Sequence, residues 1–337
     1  MEKELSIIIP AYNAEKSIEA CIENLIIGLK KLNKTKSVEV IVINDGSIDN
    51  TVEKLKKYIN YTYIKVIHKK NGGVSSARNA GIAESRGKYI VFADVDDIVY
   101  VDTLYRIMDS QVEDVDLIIA NYEEINLLTQ EKTTIDVGIE TNRVHERSFI
   151  EKDILQRYFK GQVQGLATVC NKIYKAEIAK KIQFDEKRSH GEDWKFNIEY
   201  LKECTLLYAV SDVLYLYRKD GNQTYNKYRK NIGYCLLDGH KIAKELNEKY
   251  HWVIQYSDEY NEFMWRFFHQ SINFFMAYAC SETDKREFIK TKEQRELYIY
   301  LFRMKIDEIL KRGYSRRFYL ACILFLIGKY YEAIKYL

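Results

Sequence analysis

Three carboxylates close an apolar run in the stretch VFADVDDIV: Asp94, Asp96 and Asp97. Hard oxygen donors at this spacing suit Mg²⁺ or Mn²⁺, which are held by one or two carboxylates and completed by substrate phosphates. An EF-hand calcium loop does not fit, because the turn glycine at its sixth position and the helix before it are missing. A phosphatase-type aspartate nucleophile is expected after a first strand. Here the cluster follows a fourth, and Ile98 occupies a position where a small or hydroxyl residue is expected. A solvated acidic loop is the remaining alternative for the cluster taken alone.

Other polar segments bear on the choice. NDGS places Asp45 and Gly46 directly after an apolar run, where glycine permits a tight turn and a close backbone approach to a ligand. An ordinary Asp-Gly turn has the same appearance. NGGVSSARNAG pairs Gly72 and Gly73 ahead of a helical pattern, with Ser75 or Ser76 as the expected cap and Arg78 carried inward. Arginine suits a diphosphate or a ribose edge because its planar fork makes two hydrogen bonds. Its alternative is a surface arginine on an ordinary helix.

The elements that must position these residues can be read from periodicity. LSIIIP, VEVIVIN, YIKVIH, YIVFAD and DLIIAN are short β-branched runs, as expected of strands covered on both faces. Amphipathic stretches such as EKSIEACIENLIIGLKKL and NTVEKLKKYI alternate with them. This order predicts an open α/β sheet with helices on both faces, whose ligands bind beyond the carboxyl ends of the strands. PAYN follows the first run, NDGSIDNT the second, NGGVSSARNAG the third and the aspartates the fourth, so all four segments are expected at one site. Further on, residues 122–144 suggest a hairpin, SHGEDWKFNIEYLKEC a loop feeding a helix, and TLLYAVSDVLYLYR a strand. From about Asn231 the pattern is helical.

Composition excludes several classes. With 47% hydrophobic and 30% charged residues the chain can bury a core, and a net charge of +3 over 337 residues demands no nucleic acid. The N-terminus lacks the apolar length and cleavage site of a secretory signal. The six cysteines form no C-x-x-C pair and read as reduced, buried thiols of a cytoplasmic protein. Between Asp284 and Arg317 basic residues outnumber acidic ones eleven to six, just before the apolar run FYLACILFLI. That combination suits contact with an anionic membrane surface, or a helical bundle packing its own faces, or a homodimer. The aromatic stretch from Trp252 to Tyr278 reads as core-forming helix, and GKYYEAIKYL faintly resembles the second helix of a helical-repeat unit.

SIIIPAYNAEKSIEACIENL, VIVINDGSIDNT, NGGVSSARNAGI, GKYIVFADVDD and GEDWKF, in this order and spacing, resemble the inverting glycosyltransferases of family 2. The resemblance covers roughly the first 220 residues. It implies a GT-A fold, a Rossmann-like α/β domain with a mostly parallel central sheet, over residues 1–220, and leaves 221–337 as a C-terminal helical region. It implies a UDP-sugar donor, Mn²⁺ or Mg²⁺, and a glycan, lipid-linked or glycoprotein acceptor. By this resemblance Asp45 binds the uracil, while Pro10, Ala11, Tyr12 and Asn13 flank the base. Gly46, Gly73 and Arg78 lie by the ribose and phosphates. Asp94 lies near the ribose and metal, Asp96 holds the metal, Asp97 lies near the sugar, and Val95 between them belongs to the nucleotide-sugar site. Asp193 becomes the general base with Glu192 its neighbour, and Lys172 and Arg218 are basic positions on the donor side. Ile48 and Ile98 depart from the family pattern, the latter where an aromatic residue contacts the acceptor. The alternative from another class is a glycosyltransferase-like protein that binds nucleotide or a partner without turnover.

Overall fold

The computed structural model describes residues 3–110, 114–219 and 232–253, together with Arg266 and Leu320. The basic stretch, the FYLACILFLI run apart from Leu320, the C-terminal decapeptide, Cys280, Cys322 and most of the aromatic stretch lie outside the described residues. The chain divides into two compact units. The first comprises Met1–Lys187 with Gly191–Lys227, and the second Arg188–His190 with Tyr228–Leu337.

The first unit begins with three repeats of strand and helix. They are β1 (Lys3–Ala11) and α1 (Ile18–Lys31), β2 (Val38–Asn44) and α2 (Thr51–Leu55), then β3 (Ile64–His68) and α3 (Val74–Glu84). After β4 (Gly87–Phe92) come β5 (Ile98–Val99) and α4 (Val101–Met108). Strands β1 to β4 run parallel in the order β3-β2-β1-β4. All seven residues of β2 and Leu5 to Ala11 of β1 are buried, because helices cover both faces of these β-branched runs. Helix α1 buries Ile18, Cys21, Ile22, Leu25, Ile26 and Leu29, one stripe at helical spacing. Gly81 of α3 sits so close to Ile8 of β1 that a β-carbon there would overlap its side chain.

Beyond β4 the sheet changes character. β6 (Leu117–Asn126) and β7 (Lys132–Ile135) form the expected hairpin, followed by β8 (Arg143–Glu146). Short α5 (Arg147–Phe149) continues through a π-helical turn into α6 (Leu155–Lys160). β9 (Lys172–Lys175) and α7 (Ala176–Ala179) precede α8 (Glu192–Glu203) and the long β10 (Leu206–Lys219). β9 inserts antiparallel between β4 and β6, and β10 runs parallel to β6. Because β9 is reversed, its first residues lie at the carboxyl end of β4. The segment ahead of β9 therefore reaches the same edge as the four loops that follow β1 to β4. β10 pairs with β5 through Tyr215 and Leu216, which brings its own carboxyl end to the aspartate loop.

In the second unit α9 (Ile232–Tyr250) bears out the start of the helical pattern, and the Arg188 guanidinium donates to Asp238 and to the Cys235 carbonyl. Cys21, Cys170, Cys204 and Cys235 are buried free thiols. No helix among the described residues is long and apolar enough to cross a membrane.

Candidate active site

Backbone turns at the ends of β1, β2 and β3 build one side of the site. Asn13 adopts a left-handed backbone (φ 48°) after PAY; its N–H donates to Ser47 Oγ, and its side-chain oxygen accepts from the Ile48 N–H. The Ala14 N–H donates to Thr51 Oγ1, so the loops after β1 and β2 are fastened together. Pro10 and Ala11 are buried at the end of β1, whereas Tyr12 and Ile48 project with 51% and 87% exposure. Asp45 is buried, and its carboxylate accepts from the N–H groups of Gly72 and Gly73 and from Lys69 Nζ at 2.7 Å. The following residue must be glycine: Gly46 has φ 71°, and a β-carbon there would meet the Asn71 nitrogen at 2.7 Å. Asp45 thus holds the glycine loop of α3 through acceptor positions that suit an imide N–H equally well.

Helix α3 starts without the expected serine cap. Its N-cap is Gly73, and Ser75 and Ser76 already lie in the first turn; Ser75 Oγ has no hydrogen-bond partner among the described residues. The paired glycines leave the helix start to backbone geometry, and Asp45 satisfies their N–H groups instead.

The three aspartates diverge. Asp94 is the hub, because Oδ1 accepts from Arg78 Nη2 at 2.9 Å and Oδ2 from the Cys170 thiol at 3.4 Å. Asp96 is exposed, with the half-buried Val95 between them. Asp97 turns inward, accepting from the Tyr215 hydroxyl at 2.7 Å and the Arg218 N–H at 2.8 Å. Burial, reinforced by the Asp94 charge, raises the Asp97 carboxyl to about 8. The same Tyr215 hydroxyl accepts from the Asp94 N–H at 3.1 Å, so one phenol pins both ends of the D-x-D-D turn.

On the opposite side, Arg78 joins Asp94 to Asp193. Its Nη1 donates to Asp193 Oδ1 at 2.6 Å, and its plane packs on Phe184 with the guanidinium carbon 5.3 Å from the ring centre. The Arg78 side chain is 3% exposed, against 29% for Asp94 and 21% for Asp193. A cation this buried is retained because two carboxylates compensate it, and removing it costs about 3–5 kcal/mol. Burial raises the Asp193 carboxyl to about 6 against the opposing pull of Arg78. That value leaves it mostly ionised at neutral pH yet more basic than an ordinary carboxylate. Its Oδ2 accepts from the Val169 N–H at 3.2 Å. Glu192, half-buried beside it, opens α8.

Lys172 is buried at the start of β9, its ammonium donating to the Thr168 carbonyl and to Asn171 Oδ1. Burial lowers it to about 7, opposed by the Asp193 charge. This placement ties it to the turn behind Asp193. Arg218 instead reaches the aspartate loop, its Nη1 donating to the Asp96 carbonyl at 3.4 Å.

The donor set fits a divalent cation in a restricted sense. No group of three His, Cys, Asp or Glu among the described residues could hold a metal alone. Asp96 is exposed and Asp94 half-exposed, two hard-oxygen groups that match an ion completed by water and diphosphate. Residues 10–13, 45, 46, 73, 78, 94–97, 192 and 193 come from five separate segments, and the strand ends bring them to one edge of the sheet. Sequence reasoning missed Lys69, Val169, Cys170, Asn197 and Tyr215. Only Asn197, one helical turn beyond Asp193 in GEDWKFN, had a positional signal.

The family model "Glycosyl transferase family 2" matches residues 6–183. The chain is 32% identical over 222 residues to the glycosyltransferase EpsJ of Bacillus subtilis, an alignment covering 65% of this chain and 62% of EpsJ. It is 28% identical over 224 residues to the teichoic acid poly(glycerol phosphate) polymerase of Staphylococcus epidermidis, covering 64% of this chain and 28% of that one. The matched part is therefore about three-fifths of the first relative and under a third of the second. The fold superposes on S. aureus TarS residues 1–349 in complex with UDP-GlcNAc with a TM-score of 0.63, at 18% identity, covering 98% of this chain and 89% of TarS. With over half of its length matched by the family model, on a GT-A fold, the chain belongs to glycosyl transferase family 2.

Proposed function

We propose that the protein is an inverting, metal-dependent glycosyltransferase that moves a hexose or N-acetylhexosamine from a UDP-sugar to a glycan hydroxyl. The arrangement of Arg78 carries this reading. One buried cation bridges Asp94 on the donor side and Asp193 on the opposite side, so an electrophile bound at the first lies within reach of a base at the second.

Asp45 and the loops after β1 and β3 receive the uracil and ribose. Asp96, with Asp94, holds Mn²⁺ or Mg²⁺; when bound, such an ion stabilises negative charge on the departing diphosphate. Asp193 takes the acceptor hydroxyl proton as the oxygen attacks the anomeric carbon. One carbon–oxygen bond forms while the bond to the diphosphate breaks, and UDP leaves with the electron pair. Single displacement turns an α-configured donor into a β-linked product. Arg78 keeps Asp193 ionised and aligned until the acceptor arrives.

The relatives support the substrate class. TarS residues 1–349 form a complex with UDP-GlcNAc, and the S. epidermidis relative named above is a teichoic acid poly(glycerol phosphate) polymerase. A surface-glycan precursor, presented as a lipid-linked or protein-linked chain at the inner face of the membrane, is the acceptor class we assign. Screening UDP-sugars for UDP release with Mn²⁺, followed by NMR of the product anomeric proton, tests the reading. A β-linked product is expected; a retained α-configuration, or no UDP release from any donor, contradicts it.

A further inference from the structure

Asp193 Oδ2 is held by the N–H of Val169, which belongs to a turn with no regular structure between α6 and β9. Such a donor orients a carboxylate only if its turn is fixed. The turn from Gly165 to Asn171 is fixed from inside the protein by side chains. Asn197 Nδ2 lies against three consecutive carbonyls, those of Leu166, Ala167 and Thr168, at 3.4, 2.8 and 3.3 Å. Asn171 Nδ2 donates to the Gly165 and Ala120 carbonyls, and the Tyr158 hydroxyl to the Leu166 carbonyl. Gly165 has φ 73°, and a β-carbon there would press on Val137 at 3.1 Å, so the entry to the turn needs glycine.

Asn197 has a property the other clamps lack. It stands four residues after Asp193 on α8, and side chains at that spacing share one helix face about 5–6 Å apart. The same rigid helix therefore presents the carboxylate and the amide that fixes the turn donating to it. The amide is itself oriented, because Asn197 Oδ1 accepts from the Tyr174 hydroxyl at 2.7 Å, and its side chain is 1% exposed. A buried amide with every group bonded is rigid, and leaving those carbonyls without a donor is costly.

We infer that Asn197 is a positioning residue for the reaction: it sets the Gly165–Asn171 turn so that the Val169 N–H aligns the Asp193 carboxylate with the acceptor hydroxyl. This rests on the reading of Asp193 as the base. It assigns Asn197 an effect on turnover and none on donor affinity, since its side-chain hydrogen bonds among the described residues go to Tyr174 and to the carbonyls of residues 166–168.

The experiment compares the full chain with Asn197→Asp, which keeps the shape and removes the donor N–H groups. The donor is the UDP-sugar that the unaltered protein turns over fastest, and UDP calorimetry counts binding sites so that kcat is expressed per competent site. Misplacing a reacting group by a fraction of an ångström to 1 Å costs on the order of 10- to 100-fold. A fall of that size in kcat per site, with donor KM and UDP affinity within about twofold, is expected. Unchanged kcat per site, or a rise in KM at unchanged kcat, overturns the inference. A merely structural role lowers the number of binding sites and leaves kcat per site intact. If Asn197→Asp does not fold, Tyr174→Phe, which frees the amide by deleting one buried hydroxyl, takes the same measurement with a smaller expected loss and the same overturning result. Asp193→Asn runs in parallel: if it stays active the base reading fails, whereas an inactive Asp193→Asn beside a fully active Asn197→Asp defeats only the role of Asn197.

Discussion

The two sides of the site are constructed differently. The proposed donor side is four loops, each following a parallel strand, in which short-range turn residues and backbone N–H groups present themselves: Asn13, Asp45, Gly46, Gly73. The proposed base side is assembled from residues far apart in sequence, Arg78, Val169, Asn197 and Asp193, joined by side-chain hydrogen bonds within the protein. Turn-built sites hold their groups on backbone N–H donors of loops that can shift when a ligand arrives, as the loop around Asp45 must if uracil replaces a glycine N–H. A buried polar network cannot exchange partners cheaply, because each lost bond leaves an unsatisfied group. The first construction suits binding and the second suits holding a base still.

On that contrast, changes on the base side are expected to alter turnover and changes on the donor side to alter affinity. The largest effect belongs to Asp193→Asn, expected to lower kcat by roughly 10²–10⁴-fold with UDP affinity retained; steady-state rates beside calorimetry check this. Asp96→Ala comes next. Its kcat/KM should drop on the order of 100-fold, and UDP affinity should no longer respond to Mn²⁺. Gly46→Ala forces φ 71° on a side chain that also meets Asn71. It should cost about 1–2 kcal/mol, or about tenfold in UDP affinity, with kcat little changed.

Two pH effects of opposite sign are smaller. A general base acts deprotonated, so the role proposed for Asp193 predicts that kcat/KM falls as pH drops through about 6, the raised value of its carboxyl. Stability runs the other way for Asp97, whose carboxyl is raised to about 8 in the folded chain and is near 3.9 unfolded. The folded state binds that proton more tightly. The stabilisation is complete below about pH 4 and is lost as pH rises to about 8. Thermal melts of the metal-free protein should show the loss, and Asp97→Asn should flatten it.

The donor side was legible in the sequence because its chemistry is local. A strand-ending Asp45-Gly46 pair and a glycine-rich helix start carry their geometry within four or five residues, and the parallel-strand rule gives them a common edge. One detail failed for a local reason as well: glycines at the start of α3 replaced the expected serine cap. The base side was half legible. GEDWKF marked Asp193 through resemblance, but the antiparallel insertion of β9, which brings Val169 and Cys170 to the site, depends on long-range pairing that no short pattern encodes. Tyr215 is one of 28 tyrosines, and nothing in its neighbourhood announced that its hydroxyl joins Asp94 to Asp97.

The most direct measurement is UDP release from a panel of UDP-sugars by the unaltered protein and by Asp193→Asn, with UDP binding followed calorimetrically in both. The account predicts Mn²⁺-dependent release by the first, release lowered at least about 100-fold in the second, and equal UDP affinity. Equal release by both proteins would contradict it.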